Sequence, residues 1–171
     1  MKKIFILFLL LSTFSFAKFN WHNTSELENI DKVVKVGDIL MYKPSNKKFV
    51  QRWGHCMLVV EDNKIVDFPI LFYGFREQPY KFLKDQDREF LILRYKRIND
   101  EIRKQILNEV YKYQYYNYNP IAPDIDMGTT FCSQFIYKVF EKTVGSIVDY
   151  NAPIILPTDF LNSKYLEVVE F

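Results

Sequence analysis

Two apolar runs on either side of a short polar turn constrain the fold of this chain most strongly. Residues 54–60 and 65–68 have the length and composition of strands, and the polar residues 61–64 separate them. This pattern predicts an antiparallel β-hairpin. Because side chains alternate across a strand, the hairpin also predicts which residues of the two runs share a face.

Three further segments predict strands outside the hairpin. Residues 36–42 are an apolar run after a turn, residues 90–95 are a second run, and residues 166–171 close the chain with a third. No internal repeat or linker divides the chain, so these segments belong to one domain with one core.

Two helices are predicted in the second half of the chain. Residues 99–113 repeat apolar side chains at helical spacing, with Asn99 or Asp100 as the N-cap. A second apolar stripe begins near Cys132, after a loop at residues 115–128. The order strand, hairpin, strand, helix, loop, helix, strand predicts an α+β fold in which an antiparallel sheet packs against helices.

The second helix carries the candidate nucleophile. Thr129 or Thr130 is a suitable N-cap, which would put Cys132 in the first helical turn. The free N–H groups and the positive end of a helix stabilise a thiolate at that position. Since the thiolate is the reactive form of cysteine, we expect Cys132 to be nucleophilic.

Residues 1–17 have the organisation of a secretory signal peptide. Lys2 and Lys3 precede an apolar run at residues 4–11, and Ala17 ends a small-x-small cleavage site. The run is too short to span a bilayer comfortably, so we expect an exported protein with no stable membrane span. The predicted parts are a signal peptide at 1–17, an N-terminal arm or short helix at 18–35, and the domain at 36–171.

The charge balance gives no indication of a nucleic-acid partner. Cleavage after Ala17 would remove Lys2 and Lys3 and no acidic residue, which leaves equal numbers of basic and acidic residues because the whole chain has 23 and 21. A protein without a basic excess lacks the electrostatic attraction that drives binding to phosphates.

The hairpin supplies a candidate base and a carboxylate to orient it. His55 lies at the start of the first strand and Asp67 on the returning strand. A carboxylate beside an imidazole fixes its tautomer and stabilises imidazolium, which with Cys132 would give a Cys-His-Asp triad. The histidines and cysteines lack zinc-finger spacing, and the predicted chemistry needs neither a metal nor an organic cofactor.

The second cysteine offers a competing interpretation. Strand alternation puts His55 and Cys56 on opposite faces, so we expect Cys132 to meet one of them and not both. Two cysteines in an exported protein favour a disulfide. A Cys56–Cys132 disulfide would make the chain a non-enzymatic exported binding protein.

Four segments, taken in order, resemble a known family. They are Gly37-Asp38-Ile39, Trp53-Gly54-His55, Phe131-Cys132-Ser133-Gln134, and residues 156–163. The chain resembles the NlpC-like branch of the papain-fold cysteine hydrolases, particularly the bacterial YiiX/YebB-like proteins. The resemblance implies a circularly permuted papain-like fold, because the histidine precedes the cysteine.

The same resemblance implies the roles of individual residues. Cys132 would be the nucleophile, His55 the general base and acid, and Asp67 the residue that orients the imidazole. Relatives carry a tyrosine in the loop before the cysteine, so Tyr116 and Tyr118, together with Trp53, are expected to contact substrate.

The expected activity is that of a thiol amidase or endopeptidase acting through an acyl-enzyme, with peptidoglycan peptides as a possible substrate reached by export. The backbone N–H of Cys132 would be one oxyanion donor. The same branch of the family resembles enzymes that act on lipid acyl groups, so a lipid amidase, esterase or acyltransferase is the alternative. The apolar residues 68–73 would suit an acyl chain, and an ordinary core crossing explains them equally well.

Overall fold

A seven-stranded antiparallel sheet is the centre of the computed structural model, which describes residues 19–47, 51–61, 63–69, 73–121, 127–149 and 153–171. The predicted signal peptide lies outside these residues. The strands of this sheet are β1 (His22–Asn23), β2 (Ile39–Tyr42), β3 (His55–Glu61), β4 (Lys64–Asp67), β5 (Arg76–Pro79), β6 (Glu89–Tyr95) and β9 (Leu166–Val168).

The order of strands across the sheet is β1-β6-β2-β3-β4-β5, and β9 pairs with β6. The predicted hairpin is confirmed: β3 and β4 are antiparallel, with Leu58 opposite Val66. Strand β2 lies between β3 and β6, so Ile39 is opposite Leu58 on one side and Leu93 on the other. The middle strands are therefore hydrogen-bonded along both edges.

The helices lie where the apolar spacing predicted them. Helix α1 spans Asp100–Val110 and continues as the 3-10 turn Tyr111–Tyr113, and helix α2 spans Cys132–Thr143. Asn99 is the N-cap of α1, because its side chain accepts a hydrogen bond from the Ile102 backbone N–H at 2.9 Å. A short third helix, α3, spans Pro157–Leu161.

The predicted N-cap of α2 is wrong. Thr129 and Thr130 form a short strand, β8, which pairs in parallel with β7 (Asn117–Tyr118). The Thr130 carbonyl accepts a hydrogen bond from the Asn119 backbone N–H at 2.7 Å, so pairing with β7 keeps the threonines extended. Extended Phe131 precedes the helix instead, and Cys132 is the first helical residue.

Side chains on α2 anchor its first turn to the segment before α3. The Ser133 hydroxyl donates to the Ile155 carbonyl at 2.6 Å, and the Gln134 side-chain oxygen accepts from the Ile155 backbone N–H at 3.0 Å. Both side chains are buried. These contacts fix the start of the helix, and with it the position of Cys132.

Both faces of the sheet are covered, so the domain has two apolar layers. Cys56, Leu58 and Val66 belong to the face that packs on α1 and α2. Met57 and Ile65 belong to the opposite face, which is covered by 3-10 helices. These helices span Thr24–Glu28, Ile30–Lys32 and Tyr80–Gln86.

The segment predicted as an arm or short helix contributes to this second layer. Within residues 18–35, Leu27 and Ile30 are completely buried and Val34 is almost so. β1 pairs with β6, with His22 opposite Phe90, and ties the segment to the sheet. None of the helices in the described part of the chain has the length and apolar character needed to cross a membrane.

Gly54 shapes the turn that leads into β3. Its φ is +80°, a left-handed conformation that side chains disfavour, and an added Cβ would lie 2.5 Å from the Tyr42 carbonyl oxygen. At that distance the Cβ would clash with the carbonyl oxygen, and the Tyr42 backbone would have to move. Glycine is therefore required directly before His55.

Replacing Gly54 by alanine should destabilise the fold more than the same change at a matched glycine. Gly145 also has a positive φ, +90°, but nothing lies within 4 Å of a Cβ built there. Gly145→Ala should lower the free energy of unfolding by about 1 kcal/mol through backbone strain alone. Gly54→Ala should lower the free energy of unfolding further, and urea denaturation measures both variants. Equal losses of stability in the two variants would show that the contact with Tyr42 relaxes freely.

Candidate active site

A buried hydrogen bond joins His55 to Asp67. The distance from His55 Nε2 to Asp67 Oδ2 is 3.0 Å, and the side chains are 17% and 1% exposed. His55 shares its face of β3 with Met57, and Asp67 shares its face of β4 with Ile65, so both point to the side covered by the 3-10 helices. With Nε2 bound to Asp67, Nδ1 is the ring nitrogen that is left to face another group.

Cys132 meets both His55 and Cys56, so the expectation that these contacts exclude each other is wrong. Both residues contribute to lowering the pKa of Cys132, Cys56 through hydrogen bonding and His55 through charge and hydrogen bonding, so both lie beside its sulfur. Alternation does separate His55 from Cys56. However, His55 is the first residue of β3, where the sheet ends, so its ring is accessible from the α2 side.

Both cysteines are free thiols in the structure. Cys132 is 8% exposed and Cys56 is completely buried. The Cys56–Cys132 disulfide expected for a binding protein is therefore not formed here, although the two side chains are neighbours.

The surroundings of Cys132 favour its thiolate. Hydrogen bonding from the Cys56 thiol contributes most to lowering the pKa of Cys132 well below its ordinary value. Burial opposes this effect, and the positive charge and hydrogen bond of His55 add to it. Burial and the neighbouring Cys132 thiolate raise the pKa of Cys56 well above its ordinary value, so Cys56 remains a protonated donor.

The pKa of His55 is raised, whereas the pKa of Cys132 is lowered. Burial alone would lower the pKa of His55, but the Cys132 thiolate and the Asp67 carboxylate raise it to about 10. These two shifts favour a thiolate–imidazolium pair at neutral pH. Such a pair has a nucleophile and a proton donor in place before substrate binds.

Arg76 is a further charged residue at the site that the sequence interpretation missed. It pairs with Asp67 across β4 and β5, and its guanidinium donates through Nε to Oδ1 at 3.2 Å and through Nη2 to Oδ2 at 3.1 Å. Burial would raise the pKa of Asp67, but His55 and Arg76 together lower it. The carboxylate stays ionised because it has two cationic partners. Arg76 can be recognised as a partner of Asp67 only from the pairing register of β5 with β4.

The three residues expected to contact substrate lie in different surroundings. Tyr118 precedes the site on β7, and burial together with the Cys132 charge raises the pKa of its hydroxyl to about 12. The Tyr116 ring instead packs on Tyr113, with ring centroids 4.9 Å apart. Trp53 is 38% exposed at the turn before His55. The structure thus brings Tyr118 near Cys132 and places Tyr116 in the protein's own packing.

No known family profile and no curated protein matches the sequence. Among solved structures, the chain is similar to the crystal structure of metalloprotein YiiX from Escherichia coli O157:H7, a DUF1105 protein. The TM-score is 0.60 at 13% identity, and the match covers 80% of this chain and 96% of the other. The likeness shows a YiiX-like α+β fold.

The description of that structure as a metalloprotein raises the question of a metal here. Within the described residues, no group of three or more histidine, cysteine, aspartate or glutamate side chains is arranged to hold a metal ion. His55, Asp67 and Cys132 are instead engaged with one another and with Arg76 and Cys56. The described side chains do not fit a metal centre.

Alkylation of Cys132 should depend on pH as expected for an ion pair. The thiolate persists below about pH 8.5, the ordinary cysteine pKa, so iodoacetamide should react rapidly at neutral pH. The rate should rise a second time as pH passes about 10, because His55 loses its proton there and no longer stabilises the thiolate. The alkylation rate at each pH is measured from the intact mass of the protein over time. His55→Ala should move the reaction toward the pH of an ordinary thiol, whereas His22→Ala, at the other histidine, should leave the profile in place.

Changes at Asp67 and Arg76 should shift the pKa of His55 in opposite directions. Asp67→Asn removes the negative charge that stabilises imidazolium, so the pKa should fall. Arg76→Gln removes a cation that competes for Asp67, so the pKa should rise. Both pKa shifts are measured from the pH at which the alkylation rate changes for the second time. Shifts in the same direction would contradict this account of the Asp67 contacts.

Proposed function

We propose that this chain is a cysteine hydrolase, of the amidase or peptidase type, with a permuted papain-like fold. The observation that carries the proposal is the thiolate–imidazolium pair of Cys132 and His55, oriented by buried Asp67. The order of the residues in the chain, histidine before cysteine, supports the permuted arrangement. The resemblance to the YiiX/YebB-like proteins and the YiiX-like fold agree with it.

In the first half of the reaction, the Cys132 sulfur attacks the carbonyl carbon and a tetrahedral intermediate forms. The Cys132 backbone N–H, in the first turn of α2, is one donor to the oxyanion. The Tyr118 hydroxyl, kept protonated by its raised pKa, is the candidate for the second. Collapse of the intermediate breaks the bond to the leaving group, which takes a proton from His55.

In the second half, neutral His55 takes a proton from water while the water attacks the thioester. The carboxylic acid leaves, and Cys132 and His55 recover their charges. Asp67 holds the imidazole throughout, because its hydrogen bond to Nε2 leaves Nδ1 directed at the reacting atoms. Arg76 in turn holds Asp67 with two hydrogen bonds.

The proposed substrate is a peptide, and export would bring the enzyme to peptidoglycan. The lipid alternative implied by the resemblance has one supporting sequence feature, the apolar loop at residues 68–73. Phe68 is completely buried and its ring lies 5.1 Å from that of Phe135, so it belongs to the core; residues 70–72 lie outside the described residues. No contact of the described residues favours an acyl-chain site.

Cys132→Ala should abolish hydrolysis of peptide and peptidoglycan-fragment substrates, because no nucleophile remains. Cys132→Ser should retain less than about one thousandth of the wild-type rate, since a serine beside a histidine tuned for a thiolate is a weak nucleophile. Rapid quenching of the wild type followed by intact mass should show an acyl-enzyme at Cys132.

His22→Ala serves as the control for His55→Ala, because His22 bonds to Glu26 within the N-terminal segment. The control should keep wild-type activity while His55→Ala loses it. Unchanged turnover by Cys132→Ala on every substrate that the wild type cleaves would overturn the proposal.

A further inference from the structure

A polar cavity opens at the end of the sheet where His55 lies. Its volume is about 550 Å³, within the range of small-molecule sites. Part of its wall comes from the segment after β2, and part from the turn before β6 and the start of β6. Its charged side chains are three cations, Lys43, Lys47 and Arg88, and two carboxylates, Asp87 and Glu89.

One side chain separates this cavity from His55. Tyr42 is directly opposite His55 in the β2–β3 register, and their ring centroids are 6.3 Å apart. The Tyr42 hydroxyl donates to the Gln86 side-chain oxygen at 3.1 Å, and Gln86 lines the cavity. Tyr42 therefore lies between His55 and the cavity wall, on the face of the sheet to which both Tyr42 and His55 belong.

The turn before His55 also adjoins this cavity. A Cβ added to Gly54 would be 3.6 Å from the Pro44 ring, and Pro44 lines the cavity. The Gln51 carbonyl accepts the backbone N–H groups of Ser45 and Gly54, at 2.9 and 3.0 Å. The loop that presents His55 and the cavity wall are thus one hydrogen-bonded unit.

Arg88 and Lys47 are the cations in this wall that pair with no carboxylate among the described residues. The Arg88 guanidinium lies 4.2 Å from the centre of the Tyr42 ring and donates to the Lys43 carbonyl at 3.5 Å. Lys43 itself pairs with Glu89 at 2.7 Å. Arg88 is half-buried, so its planar fork of donors is held in place but not neutralised.

The residue before Arg88 has an unusual backbone. Asp87 has a φ of +46°, the one non-glycine residue with a positive φ in the described part of the chain. Asp87 ends the 3-10 helix Tyr80–Gln86, and a left-handed residue is common at such an end. Here it accompanies the turn that carries Arg88 into the cavity wall.

We propose that this cavity binds a carboxylate or phosphate group on the leaving group of the substrate, with Arg88 as its principal ligand and Lys47 as a second cation. The inference rests on the proposed function, in which His55 gives its proton to the leaving group. That group must lie on the His55 side of the scissile bond. The cavity and His55 lie at the same end of the sheet, whereas Cys132 approaches from the α2 side.

Two kinds of leaving group carry such an anion. A peptide cleaved near its end releases an amine that bears a free C-terminal carboxylate, and a phospholipid ester releases an alcohol that bears a phosphate. Four substrates distinguish them when kcat/KM is measured on the whole protein: a peptide with a free C-terminus, the same peptide amidated, an ester of a phosphorylated alcohol, and the ester of the unphosphorylated alcohol.

At least one anionic substrate should be preferred over its neutral partner. Arg88→Gln should reduce kcat/KM for that substrate about 10- to 100-fold, the range for losing hydrogen bonds to a charged group, and leave the neutral one within about twofold. Arg88→Lys should restore part of the loss, because it keeps the charge and loses the fork. Lys104→Gln, which removes an exposed cation on α1, is the control for net charge and should change neither.

The outcomes separate this inference from the proposed function. Turnover that depends on Cys132 but is equal for anionic and neutral substrates, and insensitive to Arg88→Gln, overturns the anion site alone. An absence of Cys132-dependent turnover overturns the function. Titration with inorganic phosphate and with the released amino acid, followed by calorimetry, tests the cavity independently: binding weakened by Arg88→Gln supports the site, and no binding to wild type counts against it.

Discussion

The buried contact between His55 and Asp67 is the interaction on which the rest of the site depends. A carboxylate with 1% exposure would become neutral if it had no cationic partner, because desolvation penalises its charge. Two partners keep it charged: His55 on one side and the Arg76 guanidinium on the other. With Asp67 fixed by both, the imidazole has one orientation, and its second nitrogen is available to Cys132.

The three-layer arrangement explains how residues from opposite faces of the sheet can act together. His55 and Asp67 belong to the face covered by 3-10 helices, and Cys132 comes with α2 from the other. They meet because β3 begins at His55, so the sheet no longer separates the layers there. Cys56 needs no such opening, because it belongs to the α2 face and meets Cys132 directly.

Much of this could be predicted from local patterns in the sequence. The hairpin and the cap at Asn99 follow from spacing and residue type, and these are short-range properties. The N-cap assigned to Thr129 or Thr130 failed because pairing with β7 competes with helix capping, and that pairing is not local. Arg76 was missed because only the register of β5 puts it opposite Asp67. The supposed exclusion between His55 and Cys56 failed because alternation says nothing about where a strand begins.

The position of the two halves of the site along the chain has a consequence for how the site assembles during folding. His55 and Asp67 are 12 positions apart and joined by a tight hairpin, so bringing them together closes a short loop. Strands β5, β6 and β7 and helix α1 lie between the hairpin and Cys132 in the chain. Bringing Cys132 to the hairpin therefore closes a longer loop, which has a larger entropic penalty. A chain folded only as far as the hairpin therefore holds an oriented histidine with no thiolate beside it, and the docking of α2 is the step that completes the site.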